Sequence, residues 1–223
     1  MPIAIAHRGD SAAARENTLP AFDAAVRQGA DMVELDLRRT HDGQIVVLHD
    51  PTLTRLWDDD RAVADLDLEE LADLGCASER IPALGEVLAH LDVPLMVDFT
   101  GSEVVPGALD VVRDAGALGR ALFVSGHVAA LHLLRSLAEE ARIGLTWTSP
   151  EPPPADLLRA LGAEFWNPMF TLVTPERVAA VHALGLKVST WTVDEHRDMR
   201  RVADAGVDAI VSNRIGALRR FCS

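Results

Sequence analysis

The chain has 223 residues and a formal net charge of −13 at pH 7, which fits one α/β domain of ordinary length. Hydrophobic residues make up 48% of the chain and charged residues 25%, a composition typical of globular proteins that excludes extensive disorder. The acidic balance argues against nonspecific binding to nucleic acid or to an anionic membrane, and no apolar run approaches the roughly 20 residues of a membrane span.

The cysteines and the first residues indicate a compartment. Cys76 and Cys222 have no C-x-x-C spacing, so they do not form a disulfide framework. The first residues lack the basic segment and the apolar core of a secretory signal. We therefore expect a cytoplasmic protein in a reducing setting.

Nine short apolar segments predict β-strands along the chain. Most are continuous apolar runs, which is the pattern of strands buried on both faces. In chain order they span residues 3–6, 32–37, 44–48, 94–99, 121–124, 143–146, 164–167, 187–192 and 209–212. Helical segments separate most of these strands. This alternation predicts a parallel sheet in a single domain, residues 1–223.

Capping residues mark the boundaries of the helices. Thr18, Thr174 and Asp194 precede helical segments and are predicted to be N-caps. Four glycines stand where helices should stop, and they are Gly29, Gly116, Gly185 and Gly206.

A hairpin between the second and third strands decides how the sheet closes. The connection is too short for a helix, and Asp42-Gly43 predicts a tight turn there. Removing the hairpin strand leaves eight strand–helix units, so we expect a closed (β/α)8 TIM barrel with one extra strand. An open doubly wound sheet is the alternative, but it would typically carry a glycine-rich phosphate loop after its first strand. The segment His7-Arg8-Gly9-Asp10 is not such a loop.

Residues 51–80 form a small predicted insertion directly after His49. The segment is acidic at residues 58–60 and weakly helical at residues 68–74. We interpret the three aspartates as a solvated loop rather than a metal site. An insertion after a barrel strand falls on the face where barrels place their active sites.

Charged and polar side chains gather at the ends of the first strands. His7 and Arg8 end the first strand, and Glu34 and Asp36 lie two apart on the second, so they share one face. A two-residue turn at Asp42-Gly43 places Asp36 opposite His49. Asp98, near the end of the fourth predicted strand, reaches the same mouth in a closed barrel.

This set of side chains suits phosphodiester cleavage. Converging carboxylates such as Glu34, Asp36 and Asp98 are costly without a counter-charge, and oxygen ligands favour Mg²⁺ or Ca²⁺. His7 and His49 offer a general acid and a general base. An arginine offers planar donors to phosphate oxygens.

Each residue taken alone also has a plainer interpretation. A single histidine at a strand end is more often structural, and a lone Glu-x-Asp is more often an exposed face. However, apolar residues alternate with Glu34 and Asp36, so two acids facing the barrel interior are costly unless they are used. Trp191 near the mouth fits either core packing or ligand contact.

Several motifs resemble the glycerophosphodiester phosphodiesterase family. They are His7-Arg8-Gly9, Glu16-Asn17-Thr18, Glu34-x-Asp36, Thr40-x-Asp42-Gly43, His49-Asp50, the segment 81–88, Trp191-Thr192-Val193 and the segment 206–211. The match runs in order through nearly the whole chain, and its N-terminal motifs are the specific ones.

The resemblance implies a TIM barrel that hydrolyses glycerophosphodiesters to glycerol 3-phosphate and an alcohol. It implies Mg²⁺ or Ca²⁺ on Glu34, Asp36 and the acid of the fourth strand, an acid/base pair of histidines, and an arginine on the phosphate. Residues such as Glu16 and Asn17 would line or brace the site, and the insertion would cap the glycerol end of the substrate.

Two departures from the family pattern bear on activity. The fourth strand reads Asp98-Phe99-Thr100 where the family usually has Glu-x-Lys, and residues 212–214 read Ser-Asn-Arg where Thr-Asp is more usual. The missing lysine would weaken transition-state binding by about 1.5–3 kcal/mol. Arg55 or Arg61 from the insertion is a candidate to supply the missing cation.

The sequence therefore predicts a metal-dependent phosphodiesterase with His7 and His49 catalytic, Glu34, Asp36 and Asp98 on the metal, and a small-molecule diester as its partner. Arg8, Glu16 and Trp191 are the predicted substrate-binding residues. A lysophospholipase D-like activity and a catalytically weak phosphodiester-binding barrel are the alternatives. The assignment of acid and base, the choice between water and a glycerol hydroxyl as nucleophile, the alcohol head group and the oligomeric state stay open.

Overall fold

The computed structural model describes residues 1–75 and 79–222, so Cys76 lies outside the described residues. Nine strands form one sheet in the order β1-β9-β8-β7-β6-β5-β4-β2-β3, and an additional pairing of β1 with β2 closes it. The strands are β1 Ile3–Ala6, β2 Met32–Arg39, β3 Ile45–Val47, β4 Leu95–Phe99, β5 Ala121–Ser125, β6 Arg142–Trp147, β7 Phe165–Pro168, β8 Lys187–Thr190 and β9 Ala209–Ser212. The eight strands other than β3 are parallel to their neighbours, so the predicted closed barrel is confirmed and the open sheet is excluded.

The helices run between the strands and surround the barrel. They are α1 Leu19–Arg27, α2 Thr54–Trp57, α3 Leu68–Ala72, α4 Leu84–His90, α5 Val105–Asp114, α6 Val128–Leu137, α7 Ala155–Leu161, α8 Pro175–His182, α9 His196–Asp204 and α10 Ile215–Phe221. Within the described ranges, no helix is long and apolar enough to cross a membrane.

Alternation along β2 separates the two faces of the barrel wall. Val33, Leu35 and Leu37 belong to the main apolar core shared with the helices. The barrel interior has a smaller apolar core that includes Met32 and Met96. Because side chains alternate along a strand, Glu34 and Asp36 project with Met32 into the interior.

The hairpin register differs from the prediction by one residue. Leu37 pairs with Val47 in the antiparallel ladder, and the Leu48 N–H donates to the Asp36 carbonyl at 3.0 Å. Asp36 is therefore opposite Leu48, and its predicted pairing with His49 is wrong. The turn is wider because the Thr40 N–H donates to the Gln44 carbonyl at 2.9 Å.

The predicted helix boundaries are correct at two of the three starts. Thr18 and Thr174 are the N-caps of α1 and α8. Asp194 is not an N-cap, because Glu195 caps α9. The Asp194 carboxylate instead accepts hydrogen bonds from Ser212 and Asn213 after β9. The strand predicted over 187–192 ends at Thr190.

The insertion after His49 packs against the face of the hairpin that carries Val46 and Leu48, opposite to the face of Val47. It contains α2, a short 3₁₀ helix Val63–Asp65 and α3. Its apolar side chains form a separate cluster with those of the hairpin, namely Val46, Leu48, Leu53, Trp57, Val63, Leu66, Leu71 and Ile81. This cluster fixes the insertion against the β2–β3 hairpin.

Candidate active site

A cavity of about 130 Å³ opens at the carboxyl ends of the barrel strands. Each of the nine strands, or the positions directly after it, contributes to the lining, which consists of His7, Arg8, Glu34, Asp36, His49, Met96, Asp98, Val124, Thr146, Asn167, Trp191 and Val211. Seven of the eight predicted site residues are in this set. The exception, Glu16, lies behind Arg8, at 2.9 Å from its guanidinium.

Three carboxylates converge in this cavity. Oxygens of Glu34, Asp36 and Asp98 lie within 4.8 Å of one another, because Asp36 and Asp98 are register partners on β2 and β4. Loss of water around the groups, together with repulsion from Asp36, raises the pKa of Glu34 and of Asp98 well above the usual range. Such a set of oxygen ligands suits a hard divalent cation, whose charge would remove the repulsion.

Arg8 provides the positive charge closest to these acids. Its backbone N–H donates to Glu34 Oε2 at 2.9 Å, and its Nε lies 3.0 Å from Asp36 Oδ2 as an ion pair rather than an aligned hydrogen bond. Burial alone would lower the pKa of Arg8, but Asp36, Glu34 and Glu16 together raise it. The guanidinium is therefore held charged beside the carboxylates.

Local backbone geometry requires the glycine after Arg8. Gly9 has a φ of +82°, and a Cβ at this position would come within 2.7 Å of the Ala21 backbone. Arg8 itself has a φ of 57°. The chain thus turns sharply after β1 against the first turn of α1, which aims Arg8 into the cavity.

Glu16 lies between two arginines. Its Oε1 accepts from Arg8 Nη1 at 2.9 Å and from Arg55 Nη2 at 2.6 Å. Burial would raise the pKa of Glu16, but hydrogen bonds and charge from Arg55 and Arg8 lower it. The structure therefore places Glu16 where it orients Arg8, and its predicted contact with substrate stays a prediction.

Asn213 fixes the orientation of His7. The Asn213 Nδ2 donates to Asp194 Oδ2 at 2.8 Å, which leaves its Oδ1 as the acceptor for His7 Nδ1 at 2.7 Å. His7 Nδ1 is therefore the protonated nitrogen, and its Nε2 lies 3.9 Å from Glu34 Oε2. Burial and the charge of Arg8 lower the pKa of His7.

Asp50 has the corresponding place beside His49. Its Oδ1 lies 2.6 Å from His49 Nδ1, and its Oδ2 accepts from Arg55 Nε at 2.5 Å. Burial would raise the pKa of Asp50, but its bonds with Arg55 and His49 lower it. An ionised carboxylate only accepts hydrogen bonds, so His49 also carries its proton on Nδ1 and has Nε2 free.

A second arginine supports the backbone of His49. Arg38, two residues after Asp36 on the same face of β2, donates to the His49 carbonyl from Nε at 2.9 Å and also from Nη2. Burial lowers the pKa of Arg38, although Asp36 and Glu103 oppose that effect. Arg38 was not among the predicted site residues, although the alternation of side chains along β2 places it on the same face as Asp36.

Hydrogen bonds among Asn167, Ser189, Thr146 and Trp191 hold the polar part of the cavity wall formed by β6, β7 and β8. The Asn167 side chain accepts from Ser189 Oγ at 2.8 Å and donates to Thr146 Oγ1 at 3.1 Å. Trp191 Nε1 donates to the Asn167 carbonyl at 3.0 Å. Trp191 therefore contributes its ring surface to the cavity, as ligand contact would require.

The described side chains that line the cavity include no lysine to fill the position of the missing one, and the two candidate arginines bond elsewhere. Thr100, in the lysine position, donates its hydroxyl to the Leu37 carbonyl at 2.6 Å. Arg61 pairs with Asp59 at 2.7 Å on the surface of the insertion. Neither Arg55 nor Arg61 is among the side chains that line the cavity.

Comparison with known proteins gives one consistent family. The family model described as "Glycerophosphoryl diester phosphodiesterase family" matches residues 7–217. A glycerophosphodiester phosphodiesterase of Caldanaerobacter subterraneus subsp. tengcongensis is 33% identical, and the alignment covers 95% of this chain and 93% of that protein.

Solved structures show the same architecture. A glycerophosphodiester phosphodiesterase from Agrobacterium tumefaciens str. C58 superposes with a TM-score of 0.84 at 25% identity, covering 99% of this chain and 100% of that one. An Oleispira antarctica phosphodiesterase, solved in complex with the product sn-glycerol-3-phosphate, gives a TM-score of 0.93 at 24% identity, covering 100% of this chain and 97% of that one. At that identity the second match concerns the fold alone.

Proposed function

The chain belongs to the glycerophosphoryl diester phosphodiesterase family of phosphoric diester hydrolases, and from this premise we propose how its cavity works. It hydrolyses a glycerophosphodiester to glycerol 3-phosphate and an alcohol, with a divalent cation on Glu34, Asp36 and Asp98. The observation that supports the proposal is the gathering of three carboxylates, one arginine and two histidines around one cavity.

Arg8 and the three carboxylates form the phosphate site in this proposal. A divalent cation on the carboxylates would supply charge to the phosphate oxygens as negative charge develops in the transition state. Arg8 donates to the same phosphate, and its bond to Glu16 holds the guanidinium plane in position.

The two histidines transfer protons on opposite sides of the phosphate. His7 acts as the base, since burial and Arg8 lower its pKa and keep Nε2 unprotonated near neutral pH. Nε2 takes a proton from the attacking hydroxyl as the new P–O bond forms. His49 acts as the acid once it also carries a proton on Nε2, and it gives that proton to the alcohol oxygen as the old P–O bond breaks, while Nδ1 keeps its bond to Asp50.

The nucleophile is the neighbouring glycerol hydroxyl, which is already held close to phosphorus. Its attack gives a cyclic phosphodiester and the free alcohol, and water then opens the ring to glycerol 3-phosphate. A substrate analogue that lacks this hydroxyl tests the step. Loss of turnover is expected, whereas normal turnover would assign the attack to water.

The function itself is tested by product release. Purified protein is incubated with glycerophosphoethanolamine in Mg²⁺, in Ca²⁺ and in chelator, and glycerol 3-phosphate is measured, with Glu34→Gln as the matched variant. We expect release that requires a cation and is lost in Glu34→Gln. The absence of release from folded, metal-loaded wild type would overturn the proposal.

The same assay separates the alternatives. Turnover of a lysophospholipid but not of glycerophosphoethanolamine would favour the lysophospholipase D-like activity. Tight diester binding without turnover at saturating metal would favour a binding barrel, for which the change to Asp98 and Thr100 is the motivation.

A further inference from the structure

Arg55 connects the insertion to the catalytic face. It lies in α2, the single helical turn Thr54–Trp57. Its guanidinium uses three donors on two carboxylates, with Nε to Asp50 Oδ2 at 2.5 Å, Nη1 to Glu16 Oε2 at 3.1 Å and Nη2 to Glu16 Oε1 at 2.6 Å. These bonds are made although the side chain is 47% exposed.

Each carboxylate that Arg55 binds also holds one group of the proposed machinery. The second oxygen of Asp50 accepts from His49 Nδ1, and Glu16 Oε1 also accepts from Arg8 Nη1. One chain of charged hydrogen bonds therefore runs from Arg8 through Glu16, Arg55 and Asp50 to His49. Such bonds are directional, and a planar guanidinium fixes the angle between its partners.

We propose that Arg55 is a positioning residue. By fixing the carboxylates of Asp50 and Glu16 in one plane, it holds the His49 ring and the Arg8 guanidinium in fixed positions relative to each other. The inference rests on the proposed function for its kinetic consequences, since it deepens the account of that site. It assigns a role in catalysis to the insertion, beyond covering the substrate.

The packing of the insertion allows this role to be separated from stability. Leu53, Trp57 and Val63 are buried in the apolar cluster that fixes the insertion, and Arg55 is not in that cluster. Replacing Arg55 should therefore leave the insertion packed. An exposed ion pair adds little to stability, so a large kinetic effect would not be explained by unfolding.

The kinetic test compares Arg55→Gln with Arg55→Lys and with Arg61→Gln. Arg61 is the matched control, because it is in the same insertion, is 49% exposed and pairs with Asp59. We expect Arg55→Gln to lower kcat by about 10–100-fold, the range seen when groups that orient catalytic ligands are removed, with a smaller change in KM. Arg55→Lys should recover only part of the lost kcat. Lysine keeps the positive charge, but its ammonium cannot hold both carboxylates in one plane.

A second readout does not depend on turnover. Two-bond ¹H–¹⁵N correlation spectra report which ring nitrogen of a histidine is protonated, and the His49 signals are those lost in His49→Gln. Wild type should show His49 protonated on Nδ1, and Arg55→Gln should show a mixture of tautomers, while Arg61→Gln matches wild type.

The outcomes distinguish the two proposals. An unchanged His49 tautomer and a kcat equal to that of Arg61→Gln would overturn the role of Arg55. If wild type releases no glycerol 3-phosphate, the proposed function fails, and the tautomer in Arg55→Gln still decides whether Arg55 orients His49.

Discussion

His7 and His49 line the same cavity but are held by different kinds of partner. The His7 side chain is 16% exposed and donates from Nδ1 to the neutral amide of Asn213. The His49 side chain is 43% exposed and donates to the carboxylate of Asp50. Burial and the charge of Arg8 lower the pKa of His7 and so favour its neutral ring, although the bond to Asn213 opposes this effect. Different surroundings can thus give two identical side chains in one cavity different roles.

The two supports also differ in origin. The support for His7 depends on closure of the barrel, since the His7 N–H bonds the Ser212 carbonyl at 3.0 Å where β1 meets β9. The support for His49 is local, with Asp50 next in the chain and Arg55 five residues further. The barrel therefore supplies the support of His7, whereas the support of His49 includes Arg55 from the insertion.

The largest predicted effect is removal of either ring. His7→Ala and His49→Ala should each lower kcat by about 10²–10⁴-fold, the usual contribution of a general acid or base. A diester with a nitrophenol leaving group separates the roles, because that group leaves without a proton. On this substrate His49→Ala should recover most of its activity and His7→Ala should not.

Circular dichroism and thermal melting are the controls for both alanine variants. Equal recovery of the two variants on the nitrophenyl ester would contradict the assignment of base and acid. Recovery of His7→Ala alone would reverse it.

A smaller effect is predicted when the His7 support is made to resemble that of His49. In Asn213→Asp the new carboxylate should raise the pKa of His7, so the ring stays protonated to higher pH and the acidic limb of kcat/KM moves upward. At pH 6 the loss should be up to about 10-fold, the effect of about 1.4 kcal/mol, with little change at pH 8. A full pH profile against wild type measures this, and an unmoved limb would mean that His7 is not the base.

Arg38 offers a change confined to the His49 side. Arg38→Met removes both donors to the His49 carbonyl and should lower kcat by about 10-fold, toward the lower end for a charged hydrogen bond. Arg39→Met, the adjacent and more exposed arginine, is the matched control. The loss should shrink on the nitrophenyl ester, where the acid is not needed. An equal loss on both substrates would place Arg38 outside the support of His49.

The fold was largely predictable because strands of a parallel barrel are buried on both faces and therefore appear as continuous apolar runs in the sequence. All nine strands were predicted, and the motifs on β2 and directly after β1 and β3 located Glu34, Asp36 and both histidines. The hairpin register was missed because the Gln44 N–H bonds Thr40 Oγ1 at 2.8 Å, a side-chain contact that widens the turn and that a turn rule based on Asp42-Gly43 does not include.

The supports were less predictable than the catalytic candidates. Aspartate is a common N-cap residue, so Asp194 was predicted to cap α9. Its carboxylate instead accepts hydrogen bonds from Asn213. Asn213 is 206 positions from His7, so the contact exists only once the barrel has closed. Asp50 was visible in the His49-Asp50 motif, but its role depends on Arg55, whose side-chain direction no pattern gives.

The smallest predicted effect concerns the carboxylates that line the same cavity as the two histidines. A carboxyl whose pKa is raised by folding stabilises the fold below its unfolded pKa, and this stability is lost as pH rises through the folded pKa. The pKa values of Glu34 and Asp98 are raised in this way, so charge in the metal-free cavity opposes folding above that range.

Asp98→Asn should therefore raise the Tm of the metal-free protein at pH 8 and change it less at pH 5. About 1 kcal/mol corresponds to about 2–4 °C in a domain of this size. Calorimetry in chelator measures the shift. Ca²⁺ should raise the wild-type Tm at pH 8 more than that of the variant. A Tm change equal at the two pH values would show that Asp98 is not under electrostatic strain, and the case for a cation on this trio would then rest on Glu34 and Asp36 alone.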